Sequence, residues 1–183
     1  MTHSLAPTLL LSMPQLQDPN FARTVVLLCE HGPEGAFGLI LNRPTEVPAS
    51  GVVGLVPPVG FDNGMRLWVG GPVEPHRGWI LLGEEPAGTE SQRVADGLFL
   101  STSPGLLRQM LERTPPPAAV RVLAGYAGWG PGQLDMELNE SSWLTAEVDL
   151  DLVFTIDPAV MWESAIRRLG ADPSLLQMGH GVH

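Results

Sequence analysis

Cys29 and His31 stand two apart in an apolar run, so on a strand both side chains would project from the same side. A thiol beside an imidazole is the pairing of a nucleophile with its general base. That chemistry needs a thiolate in a positive environment, and the neighbouring charges are Glu30 and Glu34. Cys29 is therefore expected to be a small buried strand residue. His31, at a Gly-rich turn, either serves as an acid-base group or bonds the turn backbone. The stretch Gly125-Tyr126-Ala127-Gly128-Trp129-Gly130-Pro131-Gly132-Gln133 places four glycines before a predicted helix, an arrangement whose free N–H groups cradle phosphates. It is neither G-x-G-x-x-G nor a Walker loop. Asp135 and Glu137 would already answer the positive end of that helix. A neutral or cationic ligand stacked on Tyr126 and Trp129, with Gln133 and Glu137 alongside, fits better; the alternative is a packing loop with Trp129 as a core plug. Phe21, Arg23, Asn42 and Arg43 gather at the open end of a predicted hairpin, either as an anion pocket or as strand caps around a plugging Phe21. Gly70 and Gly71 either let a ligand approach the backbone or turn a tight corner.

Composition closes other chemistries. All ten bases are Arg, which removes lysine Schiff bases, a phosphate-binding lysine and Ser-Lys dyads. The net charge is −10 and the arginines scatter from Arg23 to Arg168. Neutralising about 6–10 phosphates would need most of them on one face, so direct nucleic-acid binding is not expected. Between Arg121 and Arg167 there are eight acids and no base. Without EF-hand spacing they read as a solvated acidic face rather than a cation cage. His180 and His183 lie in the tail, so no metal site is expected. No G-x-S-x-G, H-E-x-x-H, C-x-x-C or Rossmann pattern occurs, and no cofactor is called for. One cysteine permits no internal disulfide. The longest hydrophobic run is five residues, 25–29, where a membrane span needs about 20. The first residues lack a basic region and break at Pro14. These features predict a cytoplasmic protein.

The elements that must position these residues are short. With 21 Gly and 18 Pro in 183 residues, one turn-rich domain is expected. Strands are predicted at 9–13, 24–30, 36–41, 65–69, 79–82, 98–101, 120–124, 143–148 and 152–156. Residues 24–41 form a hairpin turning near Pro33, with cross-strand pairs summing to 66, so that His31 lies beside Gly35. Residues 45–64 read as a loop or broken helix, and 83–93 as a polar loop. Ser103 and Pro104 open a helix to about Arg113. Residues 131–139 are helical. Asp157 and Pro158 open a helix to Leu169 that Gly170 ends, with Ala159, Trp162, Ile166 and Leu169 on its buried face. Asp172-Pro173 opens a last helix, and 179–183 fray. Interleaved strands and helices without a βαβ period give the α+β class with a mixed sheet.

Four segments, in this order, resemble the YqgE/AlgH family (UPF0301): DPNF (18–21) with CEHGPEGAFGLILNRP (29–44); GGPVEPHRGW (70–79); GYAGWGPGQLDMEL (125–138) with Trp143; and WESAIRRLGAD (162–172). The resemblance implies a single α+β domain, a strongly bent, partly open mixed β-barrel flanked by helices. It implies no agreed activity. The AlgH name refers to a proposed regulatory role in alginate synthesis, and direct DNA contact is not expected at this charge without a helix-turn-helix. Two functions remain open. One is a non-catalytic binding or regulatory domain holding a small ligand or protein partner between the Asn42-Arg43 end and the 125–133 stretch. The other is an enzyme using His31 or Glu137 as acid-base group and Arg43 for an anionic substrate.

Overall fold

The computed structural model describes residues 4–14, 16, 18–52 and 55–179. The histidines at 180 and 183 and the end of the tail lie outside them. The predicted hairpin forms from β2 (Val25–Gly32) and β3 (Gly35–Ile40), and β1 (Thr8–Ser12) pairs antiparallel with β2. On β1 to β3 nearly every apolar residue is buried, because this part of the sheet is covered on both faces. Leu9, Leu11, Leu27 and Leu39 pack on one side, and Leu10, Val26, Leu28 and Ile40 on the other.

The hairpin register begins as expected, with Val26 opposite Ile40 and Leu28 opposite Gly38. A bulge at Cys29 then shifts it by one, so His31 faces Ala36 rather than Gly35. The extra residue also turns the two side chains apart. Cys29 packs with Leu27 on the first face, while Ala36, opposite His31, belongs to the second. The expected common side for Cys29 and His31 is lost.

After β3 come β4 (Pro44–Pro48), the short helix α1 (Ala49–Val52), β5 (Arg66–Val69) and β6 (Val73–Leu82). Residues 45–64 thus hold a strand and one helical turn before an irregular segment. β7 (Gln92–Ala95) begins in the last two residues of the predicted polar loop and pairs with β8 (Leu98–Ser101). The helix α2 (Pro104–Glu112) starts as its sequence demands: Ser103 Oγ accepts from the Leu106 N–H at 3.2 Å.

β9 (Val120–Trp129) is the organising strand, and it corrects one expectation. The Gly-rich stretch 125–129 is not a loop but the second half of β9. Along one edge β9 pairs parallel with β5 through Val122 to Ala124 and antiparallel with β3 through Ala127 to Trp129; β6 runs along its other edge. The change of partner needs backbone against backbone. Gly125 has φ +77°, and a Cβ there would lie 2.2 Å from the Gly71 oxygen. A Cβ on Gly71 would lie 2.1 Å from the Tyr126 carbonyl carbon. Only glycine fits such an approach.

The chain continues through α3 (Gln133–Asn139), β10 (Trp143–Ala146), α4 (Leu150–Phe154), α5 (Met161–Arg168) and α6 (Pro173–Gly179). α4 replaces the predicted strand at 152–156. Asp149 caps it through the Asp151 N–H at 2.9 Å, and Leu152 and Val153 bury against the core. The predicted helix from Pro158 starts as one 3₁₀ turn, so the buried face becomes Met161, Trp162, Ala165 and Ile166, with Ala159 and Leu169 exposed. The result is an α+β domain whose ten-stranded sheet runs β10-β1-β2-β3-β9-β6-β8-β7, with β4 and β5 off that path. The sheet is mixed, because only β5 runs parallel to β9, and it does not close: β10 and β7 end it.

Candidate functional site

The residues singled out above fall into three groups. The first forms on α3 and the sheet face it covers. Glu137, one turn into α3, sits between two indoles. Its Oε1 accepts from Trp129 Nε1 at 3.1 Å and Trp143 Nε1 at 2.8 Å, and its Oε2 accepts from Gln133 Nε2 at 3.0 Å. Gln133 Oε1 accepts from the Gly130 N–H at 3.0 Å, closing the turn that enters the helix. Phe21 stacks on Trp129 with ring centroids 6.4 Å apart and meets Trp143 edge-on at 5.8 Å. Phe21, Trp129, Gln133 and Glu137 are thus brought together, with Trp143 as a further member.

His31 stands near this group, with its side chain almost fully buried. Nδ1 accepts the Leu5 N–H at 3.0 Å, which places the neutral ring's proton on Nε2, donating to Asp135 Oδ1 at 3.1 Å. Both ring nitrogens are engaged. Cys29 lies elsewhere, and burial pushes its thiol up to about 12, with Glu30 adding to the shift. Raised in the fold above an ordinary value of 9.0, it lowers stability as pH climbs past 9, where only the unfolded chain ionises. Iodoacetamide at pH 8 is expected to leave Cys29 unmodified in the native protein and to label it in urea; labelling of native protein at the unfolded rate would contradict the burial.

The second group is a corner. Asn42 Oδ1 accepts from the Val25 N–H at 3.0 Å and its Nδ2 donates to the Arg23 carbonyl at 3.0 Å. Arg43 donates to the Ala22 carbonyl at 2.9 Å. Arg23 has φ +53°, pairs with Glu163 and lies over the Trp162 ring at 5.1 Å. These side chains tie residues 22–25 to the strand ends and to α5.

The third group lies on the opposite sheet face. Tyr126 and Trp129 are three apart on β9 and point to opposite faces, so they cannot sandwich one ligand. Tyr126 instead packs with Phe37, at 5.3 Å between centroids, and Trp79, at 6.1 Å. Its hydroxyl bonds the Glu74 carboxylate, which raises its ionisation above the ordinary tyrosine value. Arg77 lies over the Trp79 ring at 4.6 Å. Gly70 and Gly71 pack beside Gly125 and Tyr126. Beside this aromatic group opens a cleft of about 490 Å³, lined by Arg77, Trp79, Glu90, Gln92, Ser101 and Thr102. Sequence reading missed Arg77 and Trp79 as site residues, although both stand in the 70–79 segment. Among the described residues no three His, Cys, Asp or Glu side chains gather as metal ligands, and no helix is long and apolar enough to cross a membrane.

Comparison with known proteins places this architecture. A family model described as AlgH-like matches residues 9–174. A UPF0301 protein of Myxococcus xanthus is 40% identical over 183 residues, covering 98% of this chain and 99% of the relative. One from Ruegeria pomeroyi is 39% identical, covering 97% and 98%. The solution structure of the AlgH protein from Pseudomonas aeruginosa is similar with a TM-score of 0.78 at 32% identity, covering 100% of this chain and 98% of that one. A crystal structure of a Corynebacterium diphtheriae protein shares the fold at TM-score 0.68 and 23% identity, covering 97% and 93%.

Proposed function

The chain belongs to the AlgH-like family, and we propose that it is a non-catalytic binding domain that takes a small polar ligand in the cleft beside Trp79. One observation carries the reading: the candidate acid-base and anion-binding groups are each spent on a different structural task. Glu137 holds two indoles and an amide, His31 holds the Leu5 backbone and Asp135, and Arg43 holds the Ala22 carbonyl. Each of the three is held by partners of its own. The cleft, by contrast, joins an aromatic wall to a few converging polar groups, the usual make-up of a ligand site. A net charge of −10 argues against nucleic acid as the ligand. The lone buried cysteine suits a reducing compartment, and we assign the protein to the cytoplasm.

A thermal-shift screen of small polar metabolites tests the site. A ligand at 100 times its Kd stabilises by about 2.7 kcal/mol. Arg77→Ala and Gln92→Ala, both at exposed positions, are expected to abolish that shift while leaving the unliganded melting temperature within about 3 °C. A screen without hits, or hits indifferent to both substitutions, would refute the assignment.

A further inference from the structure

We propose, beyond the ligand cleft, that the free edge of β10 and the groove at its end receive an extended basic segment of a partner protein. Among the described residues β10 pairs with β1 alone, at the end of the sheet order, so half its backbone N–H and C=O groups face away from the sheet. Natural edges are blunted by charge, proline, a bulge or a covering element, and β10 itself, Trp143–Ala146, carries neither charge nor proline. β10 ends at Ala146, and three residues on Asp149, with φ of −132° and ψ of 116°, again lies in the β region.

The groove measures about 810 Å³, against about 490 Å³ for the cleft beside Trp79. Thr8 and Thr145 line it, as do Ala165 of α5 and Leu169 just past the end of that helix. Leu150 and Leu169 on its rim are 38% and 45% exposed. These supply apolar contact for alternate side chains of an added strand, while the edge supplies backbone bonds.

Charge selects the occupant. Glu147 and Asp149 line the groove, with Asp151 adjoining. The single base, Arg168, is already held between Asp149 and Asp151. Glu147 makes no ion pair among the described residues. The groove therefore presents net negative charge to an incoming chain, and an arginine- or lysine-bearing strand complements it.

Fluorescence anisotropy with a labelled ten-residue peptide alternating Arg and Val tests this on the full chain. Tight binding of that peptide is expected, at least tenfold weaker for the Glu/Val counterpart and for the Arg/Val peptide N-methylated at alternate residues. Glu147→Arg, at an exposed position, should weaken binding at least tenfold at an unchanged melting temperature. No binding overturns the proposal, and so does binding that survives N-methylation or Glu147→Arg. A dimer in solution that Glu147→Arg dissociates would overturn it too, by making a second copy the occupant.

Discussion

Gly125→Ala is expected to destabilise the protein by at least about 3 kcal/mol, a substantial part of the 5–15 kcal/mol that holds an ordinary domain folded. Two costs combine at this position. An L side chain at φ +77° is strained in itself, by about 1–2 kcal/mol. The added Cβ would also meet the Gly71 oxygen at 2.2 Å, a backbone atom that cannot swing aside. Relief requires parting β9 from the 70–71 segment, which breaks the bonds from the Gly70 N–H to the Ala124 carbonyl and from the Ile40 N–H to the Gly70 carbonyl. Urea denaturation of three variants separates the costs. Gly132 has φ +72° with nothing within 4 Å of a Cβ, so Gly132→Ala should lose only the conformational part, about 1–2 kcal/mol. Gly32 has neither restriction, and Gly32→Ala should fall within about 0.5 kcal/mol of the parent. Equal losses at 125 and 132 would mean that the close approach is unimportant.

Glu137→Ala should cost about 3 kcal/mol or more. The substitution strands the N–H groups of Trp129 and Trp143, which are 7% and 3% exposed, and frees the Gln133 amide. A buried donor left without its acceptor costs about 1–3 kcal/mol, and bonds to a charged acceptor exceed the neutral kind. Because the carboxylate also fixes α3 against the aromatic face, the near-ultraviolet dichroism of the tryptophans should collapse with it. The control is Trp143→Phe, which removes one donor and leaves Glu137 two of its three bonds. A Glu137→Ala loss under 1 kcal/mol, or an unaltered aromatic spectrum, would show that Phe21, Trp129 and Trp143 pack without the carboxylate.

What could be read from sequence depended on how local its cause was. The hairpin was legible because its apolar runs and the turn between them lie within eighteen residues. The bulge at Cys29 was not, since an extra residue in one strand is defined by the partner across from it. The glycines at 125 and 128 read as a loop because glycine weakens isolated strands; at 125 the reason is the crossing at 70–71, more than fifty residues away. Residues 152–156, LVFTI, have the β-branched and aromatic character of a strand. The Asp149 cap and the burial of Leu152 and Val153 overrode that preference. The candidate site fared the same way. Phe21, Trp129, Gln133 and Glu137 do meet, but Tyr126 leaves them as soon as residues 125–129 are a strand. The cleft beside Trp79 joins β6 to residues 90–102 through pairing that no periodicity announces.

β9 also dictates when the molecule can be completed. Three strands wait for it, β3, β5 and β6, and it begins only at Val120. A chain emerging from the ribosome carries those strands for 38 to 93 residues with their β9-facing edges bare, and β1 waits longer still for β10. Synthesis of the first two thirds cannot yield a finished subdomain. The nascent chain is instead a set of apolar strands open to mispairing until its last third arrives.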